Sequence, residues 1–241
     1  MEYVKIFVYI NRKRTFYWTW KDNDYFPYAW LDKKDLKDLP IPFYLIGIHP
    51  DCPIGKETTR KDEFTNYIEL PDSFDKLKLD NDLRKDLKRI EKKNEDIKII
   101  FNEKDVLEKA KKWVQEFWKE GKRDFKRRMQ LWKEKCHTLS AYVGDELIAV
   151  HIGMPLDGEI YYCGCWWNRE HKNRSIPTYL LKKDIERAIK EKVKIYNMGI
   201  GEEPYKKQWG VIERPTKYYT VLPPELEEEL EIDSTEKWVD K

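Results

Sequence analysis

Hydrophobic residues near the amino terminus follow a period of two, which is typical of β-strands. Apolar side chains occupy every second position from residue 4 to residue 10, and the aromatic segment 16–20 follows a polar stretch. Together the two segments predict a β-hairpin, and the apolar run 43–48 predicts a further strand. The pattern therefore indicates a β-rich region at the start of the chain.

A helical period replaces this pattern in the middle of the chain. Leucine and isoleucine recur three and four positions apart over residues 80–95, and Asp80 is a suitable N-cap for the predicted helix. The run 97–101 predicts a short strand. Apolar residues then recur at helical spacing up to Gly121, which predicts an amphipathic helix that ends there. The next predicted helix carries basic side chains on one face: Lys122, Arg123, Lys126, Arg127 and Arg128.

The remaining pattern predicts strands again, interrupted by one long helix. Three apolar runs joined by glycine turns predict an antiparallel meander over residues 138–167. Residues 176–191 predict a helix, and the runs 193–198 and 217–222 predict strands. The resulting order of elements indicates a mixed α/β (α+β) domain.

Sequence pattern and charge suggest three regions. We expect a β-rich amino-terminal region at 1–75, a main domain at 76–222 and an acidic carboxy-terminal tail at 223–241. The formal net charge is +2, but residues 82–135 hold 19 basic against 12 acidic residues, a difference of +7. Such a basic stretch could face the phosphates of CoA, a nucleotide or tRNA, or could form solvated helix faces, and both interpretations stay open.

The apolar runs bear on the cellular location of the protein, and the cysteines bear on whether it binds a metal. The first apolar run is short and interrupted by charge, and no stretch approaches the roughly 20 apolar residues that span a bilayer. We therefore expect a cytoplasmic protein with no membrane span. Cys163 and Cys165 would share one strand face. Because no second cysteine pair or suitably spaced histidine follows them, we expect reduced thiols and no metal.

The segment 199–210 carries the strongest candidate chemistry. Gly199 and Gly201 allow a sharp turn after a buried strand, and Pro204 suits the first turn of a helix. Lys206 then stands between two aromatic residues, Tyr205 and Trp209. Such a cation beside aromatic surface could hold an anionic or carbonyl oxygen, although an ordinary strand–loop junction with a solvated lysine would give the same pattern.

This segment resembles the signature G-D-E-P-Y-K-x-x-W/F-G of the BioF2-like or CelD-like acyltransferases. These belong to the GNAT-fold acyltransferases and are related to the FemX/FemAB aminoacyl-tRNA-dependent peptidyltransferases. The resemblance covers roughly residues 68–221 and includes Leu-Pro-Asp-Ser-Phe at 70–74 and Ser-Ile-Pro-Thr-Tyr-Leu-Leu at 175–181. Two positions depart from the pattern: Glu202 stands where aspartate is usual, and the preceding strand has Asn197 in place of an aspartate.

The resemblance implies a fold and a set of site residues. It implies a GNAT-like fold, with a central, largely antiparallel sheet flanked by helices. It implies that Lys206 stabilises the oxyanion of acyl transfer and that Tyr205 and Trp209 shape the acyl pocket. Glu202 or Glu203 would accept the amine proton or hold Lys206 in a salt bridge, and both roles stay open. Further substrate-binding candidates are Gly201 and Asn197.

The loop before the long helix is the predicted place for the donor's phosphates. Acetyl-CoA-binding GNAT proteins have a glycine-rich loop at this position, whereas this chain has none. Arg174 could meet a phosphate and Ser175 could cap the helix, with Thr178 in its first turn. Plain helix capping is the alternative. The FemX-like group shares this lack of glycines.

The histidines have no partner pattern in the sequence. His137, His151 and His171 lie apart from any serine, cysteine or aspartate motif, so we expect structural roles for them.

The sequence thus predicts an N-acyltransferase that uses acyl-CoA or aminoacyl-tRNA as the donor and acts by direct attack of an amine. The acceptor would be an amine-bearing small molecule, a sugar or a peptide, and tRNA is a possible partner. The alternative is a catalytically silent GNAT-like module that binds a nucleotide, RNA or a protein.

Overall fold

The computed structural model of the protein describes residues 3–10, 13–20, 43–48, 50, 53, 55–57, 59, 64–117, 129–130, 132–156 and 158–221. These residues form two compact units. The first unit takes its described residues from Met1–Thr65, Ile200–Glu202 and Glu213–Lys241, and the second from Asn66–Gly199 and Glu203–Ile212.

The elements are numbered in chain order. The strands are β1 (Tyr3–Ile10), β2 (Lys13–Trp20), β3 (Phe43–Ile48), β4 (Lys56–Glu57), β5 (Phe64–Glu69), β6 (Ile97–Phe101), β7 (His137–Val143), β8 (Glu146–Leu156), β9 (Glu159–Trp167), β10 (Ile195–Ile200), β11 (Ile212–Pro215) and β12 (Lys217–Val221). The helices are α1 (Asn81–Lys93), α2 (Val106–Phe117), α3 (Ile176–Lys190) and α4 (Pro204–Gln208), with 3-10 turns at Phe74–Lys76 and Arg169–Arg174.

The first unit contains the predicted hairpin and a small sheet. Strands β1 and β2 pair antiparallel, from Tyr3 opposite Trp20 to Ile10 opposite Lys13, which confirms the hairpin. Strand β12 pairs antiparallel with β3 on one side and with β4 on the other. The predicted strands 43–48 and 217–222 are therefore confirmed as β3 and β12.

Six strands, taken wholly or largely from the second unit, lie in one sheet in the order β5-β10-β9-β8-β7-β6. Strands β6, β7, β8 and β9 pair antiparallel in sequence, which confirms the predicted meander. Strands β9 and β10 pair in parallel. The structure thus has the predicted mixed α/β class with a mostly antiparallel sheet.

Helices cover both faces of this sheet. Helix α1 begins after Asp80, whose carboxylate accepts hydrogen bonds from the N–H groups of Asp82 and Leu83, so the predicted N-cap is confirmed. The apolar sides of α1 and α3 pack on one face, where Cys165 of β9 contributes to the core. Trp166 points to the opposite face, on which α2 packs. There its ring lies 4.8 Å from that of Trp132.

One strand boundary differs from the prediction. The run 193–198 predicts a strand, but β10 extends over Ile195–Ile200. The N–H of Val193 donates to the carbonyl oxygen of Ala188, and Lys192 has a φ of 62°, so these residues still close the end of α3. The chain becomes extended only after this helix ending is complete.

Several predicted features fall outside the described residues. They are the basic helix face at 122–128 and the acidic segment at 223–241. Among the helices that the structure does describe, none is long and apolar enough to cross a membrane.

Helix α4 is fixed in place by the chain segment before α1. The N–H of Asp80 donates to the carbonyl oxygen of Gln208 at 2.8 Å, and Trp209 is buried in the core. Gly210 has a φ of 68°, and a β-carbon there would lie 2.1 Å from the carbonyl oxygen of Lys78. Glycine is therefore needed where the chain leaves α4.

We expect Gly210→Ala to destabilise the protein more than Gly144→Ala does. Gly144 has a similar φ of 56°, but a β-carbon there would meet nothing within 4 Å. The Gly144 variant should lose only the cost of a left-handed alanine, about 1–2 kcal/mol. The Gly210 variant should lose roughly 2 kcal/mol more because of the clash with Lys78. Urea unfolding of both variants measures the difference, and equal losses would contradict this packing.

Candidate active site

Two neighbouring strands of the sheet pair with each other along only part of their length, and we call the part where they do not pair the strand gap. Strands β9 and β10 pair in parallel at three positions only, ending with Asn197 opposite Tyr161. Beyond these positions β9 continues to Trp167 without pairing with β10. Tyr162 is thus the first residue of β9 beyond the positions that pair with β10. Where two strands no longer pair with each other, their backbone groups can bind an extended ligand, as those of an exposed sheet edge do.

Helix α4 carries a buried ammonium group. The side chain of Lys206 is only 3% exposed, and its Nζ lies 2.7 Å from Oε2 of Glu203. Glu203 precedes the helix and is 54% exposed, so water reaches the carboxylate but hardly the ammonium. The alternative of a solvated lysine at position 206 is therefore excluded. Its neighbour Lys207 is exposed.

Burial and the glutamate act on Lys206 in opposite directions. Loss of hydration lowers the pKa of Lys206 below its ordinary value, and the hydrogen bond and charge of Glu203 oppose this change. A buried cation interacts more strongly with a nearby negative oxygen than a hydrated one does, because the local dielectric constant is lower. The arrangement can therefore stabilise an oxyanion.

Two tyrosines lie near this pair. Tyr205 is 39% exposed, and burial together with the charge of Glu203 raises its pKa to about 12. Burial also raises the pKa of Tyr162 well above its ordinary value, with smaller contributions from Cys165, Tyr205 and Glu203. The charge of Glu203 thus contributes to the raised pKa of both Tyr162 and Tyr205. Both phenols remain protonated at neutral pH and can act as hydrogen-bond donors.

The other predicted substrate-binding residues have separate surroundings. Oδ1 of Asn197 accepts a hydrogen bond from the N–H of Gly199 at 3.0 Å, and its Nδ2 donates to Glu159 at 3.4 Å. Its amide therefore helps to shape the end of β10. Gly201 and Glu202 belong to the first unit, where the N–H of Gly201 donates to the carbonyl oxygen of Phe64 at 3.3 Å. Glu202 is exposed.

The predicted phosphate loop is held by internal contacts. Arg174 forms a two-pronged ion pair with Asp96, at 2.6 and 2.9 Å, and also donates to the carbonyl oxygen of Lys93. Ser175 occupies the N-cap position of α3, but its φ of 51° is left-handed and its hydroxyl makes no capping bond. Capping by the Ser175 side chain is therefore wrong, since bonded caps need an extended backbone. Thr178 is half-buried in the first turn.

The structure reveals a buried polar cluster that the sequence did not predict. Asp184 of α3 lies 2.9 Å from Nε2 of His137 and 3.0 Å from Nε2 of His151, and it accepts a hydrogen bond from the hydroxyl of Tyr196 at 2.7 Å. Because a carboxylate only accepts, we assign the Nε2–H tautomer to both histidines. Nε of Arg187 donates to the same carboxylate at 3.1 Å. Both histidines thus have an aspartate partner that no motif in the sequence indicated.

The polar cluster restricts the residue at position 153 and changes the pKa of Asp184. A β-carbon at Gly153 would lie 2.4 Å from Nε2 of His137, so only glycine leaves room for the ring. Burial alone would raise the pKa of Asp184, but the hydrogen bonds and charges of His137 and His151 outweigh it and hold the pKa well below its ordinary value. The third histidine, His171, lies apart and is 3.5 Å from Glu146.

One signal in the sequence could have revealed this cluster. Asp184 falls on the inward stripe of α3, between the buried residues Leu181 and Ile185. An acidic residue at such a position needs buried donors, because an unpaired charge is too costly inside a core. Its partners, however, come from three different strands, and their spacing along the chain carries no signal.

Comparison with known proteins gives the family. Residues 79–207 match the model of a family described as an acetyltransferase (GNAT) domain. This match covers more than half of the chain, so the chain belongs to the GNAT acetyltransferase-domain family. The predicted membership in the GNAT fold is therefore confirmed, and acyl transfer is the reaction class of the family.

Solved structures share this fold at low sequence identity. FemX matches with a TM-score of 0.55 and 11% identity over 82% of this chain and 69% of its own. L-PGS from Bacillus licheniformis matches with a TM-score of 0.51 and 12% identity, over 71% of this chain and 63% of its own. The C-terminal domain of a putative lysylphosphatidylglycerol synthetase from Agrobacterium fabrum matches with a TM-score of 0.50 and 10% identity, over the same shares.

These likenesses show the fold alone. The chain spans about 63% of the length of the last two of these structures. No curated protein matches its sequence. Within the described residues, no group of three or more histidine, cysteine, aspartate or glutamate side chains could hold a metal ion.

We expect Asp184→Asn to destabilise the protein by roughly 3–5 kcal/mol at pH 7, because the change breaks a buried charged network. The folded-state pKa of Asp184 lies below the unfolded value of about 3.9. Its stabilisation is therefore complete above the unfolded pKa and is lost as the pH falls through the folded pKa. Urea unfolding between pH 7 and pH 3 measures the difference in the free energy of unfolding between wild type and variant. This difference should become smaller only below about pH 4.

Asp145→Asn, in the exposed β7–β8 turn, is the matched control and should behave like wild type throughout. A difference for Asp184→Asn that stayed constant down to pH 3 would contradict a charged Asp184.

Proposed function

We propose that the protein is an N-acyltransferase that moves an acyl or aminoacyl group from an activated carrier to an amine by direct attack. The buried ammonium of Lys206 is the observation that carries the proposal. It lies on α4, where it pairs with Glu203 at the N-cap position, and the charge of Glu203 also contributes to the pKa of Tyr162 on β9. A cation that is shielded from water in this way supports a role in oxyanion stabilisation.

The reaction is a single displacement at the acyl carbon. The amine nitrogen bonds to the carbonyl carbon, and the carbonyl oxygen becomes an oxyanion beside Lys206. Collapse of this intermediate breaks the bond to the carrier and expels the thiolate of CoA or the ribose oxygen of tRNA. The amine proton passes to a carboxylate, for which Glu202 and Glu203 are the candidates. Because Glu203 is bonded to Lys206, we assign it chiefly to positioning that side chain.

Donor and acceptor complete the proposal. Acyl-CoA and aminoacyl-tRNA both remain candidate donors, with Arg174, Ser175 and Thr178 as the proposed contacts to their phosphates. The acceptor is an amine-bearing small molecule, a sugar or a peptide. Asn197, Gly201, Tyr205 and Trp209 remain proposed substrate-binding residues, within a transferase domain at 76–222.

A second candidate is a catalytically silent module that binds a nucleotide, RNA or a protein. The pairing of Arg174 with Asp96 favours the protein-binding form of this candidate, because a guanidinium that already has a carboxylate partner is less available to phosphates. The two candidates differ in what they require of Lys206. An enzyme needs its charge for turnover, whereas a binding module needs it only if Lys206 touches the partner.

Lys206→Met should reduce acyl transfer by about 100-fold or more, which is the usual effect of removing one oxyanion donor. The apolar stem of methionine should preserve packing, and the exposed Glu203 is not left as a buried unpaired charge. Lys207→Met removes a neighbouring exposed lysine and should stay near wild type. Steady-state transfer rates with acyl-CoA or charged tRNA measure the effect. A folded Lys206→Met protein with full activity would refute this role.

The pH dependence of transfer should report the charge of Lys206. Because burial lowers the pKa of this lysine, activity should fall on the alkaline side below the ordinary lysine value of about 10.4. Glu203→Gln removes a charge that raises this pKa, so the alkaline fall should move to lower pH. Glu170→Gln, an exposed glutamate on another turn, should not move it. An unchanged alkaline fall in Glu203→Gln would contradict the pairing.

A further inference from the structure

A cavity of about 260 Å³ lies where the end of α2 meets the end of β9. Trp113 and Glu116 line it from the helix, and Trp166 and Trp167 line it from the strand. Arg169, in the following 3-10 turn, completes the lining. The volume falls just below the range of about 300–1,000 Å³ that holds drug-sized ligands, so a small molecule fits it.

The walls of this cavity are aromatic and fixed. Trp166 is buried and packs on Trp132, so it forms a rigid floor. The guanidinium of Arg169 lies 3.8 Å from the ring centre of Trp167, which holds its charge at the rim. Trp113 and Glu116 stand three residues apart on α2 and therefore share one helix face.

Two opposite charges line the cavity without pairing. Glu116 and Arg169 form no ion pair with each other or with any other residue in the described part of the chain. A ligand that carries several phosphates would be repelled by Glu116, and a neutral ligand would remove water from both charges without replacing it. A ligand with one positive and one negative group satisfies both.

We propose that this cavity binds a small zwitterion with an apolar body, of the class of a free amino acid with a large apolar side chain. Its ammonium pairs with Glu116, its carboxylate pairs with Arg169, and its side chain packs on the tryptophans. Binding of this ligand requires neither an acyl donor nor acyl transfer. Only the further step, that this ligand is the amine acceptor, rests on the proposed function.

Isothermal titration calorimetry with the full chain measures the binding of three compounds that have the same phenyl body and differ in their charged groups. They are L-phenylalanine, which carries both charges, 2-phenylethylamine, which carries the cation, and 3-phenylpropanoate, which carries the anion. Phenylalanine should bind at least about tenfold more tightly than either of the others, because each of them lacks one charge-assisted bond. Equal binding of all three probes, or no binding of phenylalanine, would overturn the proposal.

Variants test which group of the ligand pairs with Glu116 and which pairs with Arg169. Glu116→Gln should abolish the preference for phenylalanine over 3-phenylpropanoate and keep the preference over 2-phenylethylamine. Arg169→Gln should do the reverse, and Arg169→Lys should retain most of the binding. Glu170→Gln, beside Arg169 but outside the cavity lining, is the control and should leave all three affinities unchanged. Loss of both preferences in the control would count against the site.

The outcome separates this inference from the proposed function. Selective phenylalanine binding by a protein that transfers no acyl group would support the site and contradict the enzyme. Acyl transfer without selective binding would overturn the site alone.

Discussion

A buried carboxylate ties the second unit together. Asp184 has no contact with water, and its charge is tolerated because donors from three strands and its own helix surround it. Removal of a charge from water costs several kcal/mol unless such partners are present. The network therefore favours one position of α3 on the sheet over others. It also explains why β8 has a glycine at position 153, since the His137 ring takes the space of a side chain there.

The position of α3 affects the site through β10. Tyr196 bonds to Asp184 and also stands opposite Ile160 in the parallel pairing of β9 and β10. The two strands are thus held together at the start, and their pairing ends after the next position, Asn197 opposite Tyr161. On the far side of β10, the buried Trp209 and the required Gly210 hold the short helix that carries Lys206. Core contacts therefore fix both the paired start of β10 and the helix that carries the buried ammonium of Lys206.

The sequence predicted helices and strands correctly where apolar spacing or a local hydrogen bond alone determines the element. The strands of the meander, the Asp80 cap and the inward face of α3 follow from apolar spacing and local hydrogen bonding, and they appear as expected. The start of β10 was misplaced because the end of a helix depends on backbone geometry at Lys192, which spacing does not encode. Strand β5 was not predicted, since its six residues mix polar and apolar positions.

The site was predictable only in part. The resemblance singled out Lys206, but local sequence suggested a solvated lysine, because its burial comes from tertiary packing. The partners of Asp184 and the cavity near Arg169 join residues that are far apart in the chain, so no local pattern could reveal them.

Acyl transfer to an amine is tested most directly by mass spectrometry of a pool of amines after incubation with the protein. The pool should contain amino acids, amino sugars and short peptides, and acetyl-CoA, long-chain acyl-CoA and charged tRNA should each be supplied as donor. At least one amine should gain the mass of the transferred group with one of these donors. A folded protein that acylates no amine with any of the three would contradict the proposed acyl transfer.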